Sequence, residues 1–170
     1  MNLTNLLKVI RYQNITTDLK RDKYYEIDEL ILHSCFSLLV EYVEEQLSHM
    51  YACQSPKRYD RLYPKRFIFF RGCNKSLKSQ YGLAYLDWEM SLDDEYAQQQ
   101  KTIANEVKNL YIWWIKIRPN RHFPEMPENS ASSDEWFNYA LAMEEIEDKF
   151  FKEDTVMLQK LIVVRNSLWT

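Results

Sequence analysis

Two carboxylates near the end of the sequence are of the type that acid–base and metal chemistry requires. Glu147 and Asp154 are seven residues apart, so they share one face if the segment is helical. A buried carboxylate pair can bind a metal ion or act as acid and base, which makes a metal-dependent enzyme the second alternative function. Buried carboxylates more often pair with cations, and we predict structural ion pairs among Glu147, Asp154 and Arg165. Arg118 and Arg121 are further candidate partners.

Histidine and cysteine residues form only weak patterns for metal binding or nucleophilic catalysis. His49 and Cys53 are four residues apart and Cys73 follows, but a fourth ligand at zinc spacing is absent. Ser34 and Cys35 come directly after His33, and residues one or two positions apart on a helix point to different sides, which prevents activation of a nucleophile. We therefore predict no catalytic residue, no metal ligand and no cofactor.

A basic stretch rich in aromatic residues extends from residue 57 to residue 78. Its candidate nucleic-acid contacts are Lys57, Arg58, Arg61, Lys65, Arg66 and Arg71. Cations neutralise phosphates and aromatic faces stack on unpaired bases, so nucleic-acid binding is the first alternative function. The same residues could bind an acidic protein partner. They also suit a solvated loop whose aromatic side chains fold into the core.

An apolar helix end lies between Leu110 and Ile117 and stops at Arg118-Pro119-Asn120-Arg121. Its main stripe consists of Ile103, Val107, Leu110, Trp114 and Ile117, at alternating four- and three-residue steps. Ile112 projects from nearly the opposite side. A helix that is apolar all round must be covered on both sides, by its own domain or by a partner.

Two interpretations of this apolar helix end stay open. In the first, Trp113, Trp114 and Ile117 are core residues, and the Phe67–Phe70 segment covers Ile112. In the second, the helix end anchors a protein partner, because tryptophan and arginine are enriched at binding hot spots. The partner-binding residues are then Ile112, Trp113, Arg118 and Arg121.

The composition predicts an all-α fold in one domain. The chain has 170 residues, of which only two are glycine and five are proline, too few for a turn-rich sandwich or barrel or for a glycine-rich phosphate loop. We expect a single helical domain over 1–170, a bundle of about five helices. We also expect a basic aromatic loop or insertion at about 55–79 and at most a small β element near residues 67–70.

Periodicity and capping signals place the helices of this bundle. The predicted helices are Asn2–Arg11, Ile27–His49, Gln80–Met90, a helix that ends at Arg118, and a last segment that begins after Ser132. Ser132 and Glu135 form a capping box. A single helix from there to the C-terminus would be longer than a small domain is wide. We therefore predict a break near Glu153-Asp154-Thr155, with Asp154 as the N-cap of a second helix.

Charge and cysteine content restrict the cellular location and the partners expected of the protein. The net charge of −3 gives no general attraction to nucleic acid or to anionic membranes. The sequence shows neither a signal peptide nor an apolar stretch near the roughly 18 residues that span a bilayer. Three widely spaced cysteines are typical of reduced thiols. We therefore expect a soluble, intracellular protein without a membrane partner.

Several motifs together resemble a widespread family of small, uncharacterised proteins of tailed bacteriophages. They are Tyr25-Glu26-Ile27-Asp28, Leu30 to Phe36, Leu38 to Glu44, Gly82 to Glu89, Leu110-Tyr111, Trp113-Trp114, Arg118 to Arg121, Glu153-Asp154-Thr155, Met157-Leu158 and Leu168-Trp169-Thr170. The resemblance covers roughly two-thirds of the chain and implies a phage origin and the host cytoplasm. It brings no active site, and the basic stretch fits it least well.

These observations favour binding over catalysis. We expect a non-enzymatic phage accessory protein that binds a protein partner during infection: a host factor, a phage protein or a second copy of itself. The expected contacts are the Trp113–Arg121 region and the basic stretch.

Overall fold

The computed structural model describes residues 17, 19–20, 22–67, 70–93, 97–128, 130 and 132–168. The helix predicted over Asn2–Arg11 lies outside these residues.

Five helices make up most of the described part of the chain. Helix α1 consists of Ile27–Glu41, a π-helical turn at Tyr42–Leu47, and Ser48–Cys53. Helices α2 and α3 span Pro56–Leu62 and Lys75–Ser91. Helix α4 spans Gln98–Ile112 and continues through a π-helical turn at Trp113–Ile117 and a 3-10 turn at Arg118–Asn120. Helix α5 spans Ser133–Val164 and is followed by a 3-10 turn at Arg165–Ser167.

A small hairpin lies between α2 and α3. Strand β1 (Lys65–Phe67) pairs antiparallel with strand β2 (Phe70–Arg71). The predicted all-α bundle of about five helices, with a small β element near residues 67–70, is confirmed.

Helix α1 forms the centre of the core. Phe36, Leu39 and Val43 of α1 have no exposed surface. They belong to one buried cluster with Leu86 of α3 and Leu110 of α4. Burial of each such side chain contributes about 1.5–3 kcal/mol, so α1 holds the other helices mainly through apolar contact.

Helix α3 crosses the π-helical turn of α1 at very short range because Gly82 has no side chain. A Cβ atom at this position would lie 2.2 Å from the carbonyl oxygen of Val43. Tyr111 of α4 ties the same two helices, since its hydroxyl hydrogen-bonds Glu44 Oε1 at 2.6 Å and Ser79 Oγ at 2.7 Å. Burial and the bond to Glu44 raise the pKa of Tyr111.

The basic segment at 55–79 is more ordered than the predicted loop. Pro56 occupies the first turn of α2, where its fixed φ suits a helix start, and α3 begins at Lys75 rather than at Gln80. Leu62 and Tyr81 are buried with Ala52 in a second cluster, against which Tyr59 and Tyr63 also pack. The prediction of a loop is wrong here because this segment buries its own apolar side chains.

Helix α5 is one continuous helix of 32 residues, so the predicted break near Glu153–Thr155 is wrong. Its length is about 48 Å at roughly 1.5 Å per residue. The capping box of Ser132 and Glu135 is present as predicted. The fully buried residues of α5, Leu161 and Val164, lie in its last turn. In its first half, the residues from Ser133 to Asp148 are exposed or half-buried and none is buried.

We expect the substitution Gly82→Ala to lower the free energy of unfolding by about 1–3 kcal/mol, the usual cost of overpacking. The added Cβ would meet a backbone carbonyl, which cannot rotate away. Urea denaturation followed by circular dichroism measures the change. Gln80→Ala, an exposed site on the same helix, is the control and should leave stability unchanged. An unaltered Gly82→Ala midpoint would contradict the close crossing.

Candidate functional site

The two tryptophans of α4 lie inside the protein. Trp113 and Trp114 are 2% and 6% exposed. Phe36 of α1 stacks on Trp114 with ring centroids 4.6 Å apart, and the buried His33 meets the same indole edge-on at 4.8 Å. Both indoles are therefore core residues, as the first interpretation of the apolar helix end predicts.

Arg118 and Arg121 face carboxylates on α5. The 3-10 turn at Arg118–Asn120 brings both guanidinium groups to one side, because residues three apart eclipse in that geometry. Arg118 donates to Asp154, with its NH2 nitrogen 3.1 Å from Oδ2. Arg121 donates to Asp154 Oδ1 at 2.5 Å and to Glu153 Oε2 at 3.0 Å. Two adjacent carboxylates thus neutralise two adjacent arginines.

Trp113 joins this network through its indole nitrogen, which donates to Glu153 Oε1 at 2.6 Å. The guanidinium of Arg118 lies 4.9 Å from the Trp114 ring centroid. That of Arg121 lies 4.6 Å from the Phe150 ring centroid, within the range of cation–π attraction. We call Trp113, Arg118, Arg121, Glu153 and Asp154 the clamp, because together they fasten the end of α4 to the middle of α5.

The structure places the remaining predicted residues of this region elsewhere. Arg165 donates to the carbonyl oxygen of Ile162 within its own helix and not to a carboxylate of the clamp. Glu147 is exposed and has no ion-pair partner among the described residues. Ile117 is 54% exposed, so its assignment to the core is wrong. Ile112 is half-buried and packs against the main core cluster. The side chains of Phe67–Phe70, predicted to cover it, lie outside the described residues.

A groove of about 420 Å³ opens beside the clamp, between the start of α1 and the middle of α5. Its apolar lining consists of Leu32, Phe123, Phe150, Phe151 and Leu158. Its charged lining consists of Glu26, Asp28, Glu29, Glu147, Asp154, Arg118 and Arg121. Since both arginines pair with clamp carboxylates, the other carboxylates leave the groove with an excess of negative charge.

Exposed phenylalanines extend this surface along α5. Phe123 and Phe151 line the groove and are 55% and 58% exposed. Phe137 and Leu141 are also exposed, and their spacing to Phe151 places the three on one side of the helix. The surrounding charges are Asp134, Glu135, Glu144, Glu145, Glu147 and Asp148, against Lys149 and Lys152, and Lys152 pairs with Asp148. This half of α5 is therefore both apolar and acidic.

The described aromatic residues of the basic segment pack inward. Tyr59 and Tyr63 have ring centroids 5.0 Å apart and contact the second core cluster. Arg58 lies over the Tyr51 ring, 4.0 Å from its centroid, and Lys78 pairs with Glu45. Lys57, Arg61 and Lys65 are exposed, whereas the side chains of Arg66 and Arg71 lie outside the described residues. The described rings thus offer little stacking surface to nucleic acid, and nucleic-acid binding stays a prediction.

The described residues contain neither a metal-ligand cluster nor a membrane-spanning helix. Within them, no group of three or more His, Cys, Asp and Glu side chains converges as a metal site, and no helix is long and apolar enough to cross a bilayer. His49 lies 3.4 Å from Cys53 Sγ and 3.1 Å from the Tyr63 hydroxyl. Asp154, proposed above as a partner of Glu147 in catalysis, has both oxygens bonded to arginine.

Comparison with protein-family models, curated proteins and solved structures finds no match for this chain. The resemblance to phage proteins therefore stays a prediction from the motifs. Three of those motifs contribute residues to the clamp: Trp113-Trp114, Arg118 to Arg121, and Glu153-Asp154-Thr155. A fourth, Leu30 to Phe36, packs His33 and Phe36 on Trp114. The sequence analysis does not predict that Glu153 pairs with Arg121. Two signals could have indicated it: Glu153 is next to Asp154, and the two arginines are three residues apart.

We expect Asp154→Asn to lower the free energy of unfolding by about 3 kcal/mol. This is the lower end of the range for breaking a buried ion pair, chosen because the clamp side chains keep some exposure. Chemical denaturation measures the loss. Asp148→Asn is the matched control on the same helix, since its pair with Lys152 is exposed and contributes less than about 0.5 kcal/mol. Equal effects of the two variants would show that the clamp contributes no special stability.

Proposed function

We propose that this chain is a non-enzymatic accessory protein of a tailed phage that binds a protein partner in the host cytoplasm. The partner contributes a basic, amphipathic segment that lies in the groove between α1 and α5. One observation carries the proposal: an apolar groove with surplus carboxylates continues into exposed phenylalanines on the same helix.

The chemistry of the groove selects the partner. Phe123 and Phe151 provide apolar area that water covers in the isolated protein, and contact with a partner would remove it from water at roughly 25 cal/mol per Å². Glu26, Asp28 and Glu147 surround that area with negative charge. Complementary charge raises the rate of encounter and excludes acidic partners. Lysine and arginine next to leucine or phenylalanine are therefore the side chains that this surface favours.

The clamp supports binding although its tryptophan, Trp113, does not contact the partner. It holds α5 at a fixed position, so the groove exists before the partner arrives and binding avoids the cost of ordering it. Arg121 also lines the groove, and its buried Nε atom has no hydrogen-bond partner among the described residues. The predicted contribution of Trp113 to partner binding thus becomes a positioning role.

Site-specific photo-cross-linking tests this proposal. A benzoylphenylalanine at position 151, in the full-length chain expressed in bacterial cells, should give an adduct with a protein that carries a basic amphipathic segment. Mass spectrometry of the adduct identifies the partner and the segment. A peptide of that segment should then bind the purified protein and lose affinity as salt concentration rises, because the attraction between rim charges is screened.

The matched control places the same cross-linker at position 163. Val163 is also exposed on α5 but does not line the groove, so it should give no adduct with the same partner. An adduct between two copies of this chain would assign the partner as a second copy. Absence of an adduct at position 151, or equal yield at both positions, contradicts the proposal.

A further inference from the structure

A second opening lies away from the groove, where α1, α3 and α4 meet the 3-10 turn after α5. It is a cleft of about 610 Å³, within the range of small-molecule sites. Its apolar lining consists of Leu47, Met50, Leu86, Ile103, Ala104, Val107 and Leu168. The clamp and the groove share none of these residues, so the cleft is a separate feature of the fold.

The polar groups of the cleft come from every surrounding element. Helix α1 supplies Tyr42, and α3 supplies Tyr85 and Glu89. Helix α4 supplies Gln100, whose amide nitrogen donates to Glu89 Oε1 at 2.9 Å. The remaining polar lining residues are Gln46, Gln99, Asn166 and Ser167. Glu89 is the one carboxylate among these described lining groups.

No described lining residue carries a positive charge. The titratable groups of the lining are Tyr42, Tyr85 and Glu89, and each of them becomes negative when it ionises. Burial and the nearby Glu89 raise the pKa of Tyr42 to about 12 and also raise that of Tyr85. Burial raises the pKa of Glu89, and the hydrogen bond from Gln100 only partly opposes it. The ionisable groups of the described lining can therefore carry only negative charge.

We propose that this cleft binds an organic ammonium ion, whose charge pairs with Glu89 and whose apolar body packs against Ile103 and Leu47. A hard metal ion fits less well, because Ca²⁺ and Mg²⁺ require several oxygen ligands and the described cleft offers one carboxylate. Aromatic rings beside the carboxylate favour an ammonium ion further, through attraction between the cation and their π-electrons. The ligand is a small molecule, so this site is independent of the protein partner proposed for the groove.

Ligand binding should depend on pH with a defined sign. Only ionised Glu89 attracts the ammonium ion, so affinity rises as pH increases through the raised pKa of Glu89 and is lost as pH falls through it. Neither α4 nor the 3-10 turn after α5 contributes a titratable group to the described lining. Glu89 therefore controls this dependence, and the variant Glu89→Gln should remove it.

Isothermal titration of the full-length protein with 2-phenylethylammonium tests the proposal. 2-Phenylethanol and phenylacetate serve as the neutral and anionic probes of similar shape. The ammonium ion should bind at least about tenfold more tightly than the alcohol, the effect expected of one charge-assisted hydrogen bond. Phenylacetate should bind more weakly still. Equal affinities for the ammonium ion and the alcohol, or no detectable ammonium binding, would overturn the proposal.

Two variants assign the effect to Glu89. Glu89→Gln should weaken ammonium binding about tenfold and leave binding of the alcohol unchanged. Asp87→Asn, on the same helix and paired with Lys108 outside the cleft, should change neither. An effect of Asp87→Asn as large as that of Glu89→Gln would contradict the site. Cross-linking at position 151 does not involve the cleft, so the two proposals can fail separately.

Discussion

The position of α5 depends on the charge balance of the clamp. Arg118 and Arg121 follow two buried tryptophans, and Glu153 and Asp154 of α5 are the carboxylates that neutralise them. Removing one partner from a buried ion pair costs several times more than losing a surface pair. A shift of α5 by one turn, about 5.4 Å, would separate all of these contacts at once. The clamp therefore fixes both the register and the direction of this helix.

The clamp and the core hold α5 near its middle and at its C-terminal end. Its first half can therefore carry exposed side chains without loss of the position of the helix. The core contacts of α5 come from Met157, Leu158, Leu161 and Val164, and Phe123 of the connector meets Phe150 edge-to-face. The exposed acidic and apolar surface before the clamp is thus held by a helix that the core already anchors. This separation of anchoring from exposure leaves that surface open to the partner that we propose.

Local sequence signals predict most of the helices. The placement of individual side chains differs from the prediction where it depends on contacts between residues distant in sequence. The capping box at Ser132 and the long helix that begins at Ile27 follow from the sequence, since each depends on neighbouring residues. Ile117 was assigned to the core because its stripe assumed ordinary helical steps. The π-helical turn at Trp113–Ile117 changes that phase and turns Ile117 to solvent. Asp154 suits a helix cap by residue type, but arginines 33 or more residues away in sequence bind its carboxylate instead.

Native-state hydrogen exchange along α5 tests most directly whether the clamp divides this helix. The account predicts that backbone amides from Glu153 to Val164 exchange only through global unfolding. Amides from Trp136 to Asp148 should exchange through local opening, at a much lower free energy, because few buried contacts hold them. Uniform protection along the whole helix would contradict the account, since it would show that the first half is held as firmly as the part that the clamp and the core retain.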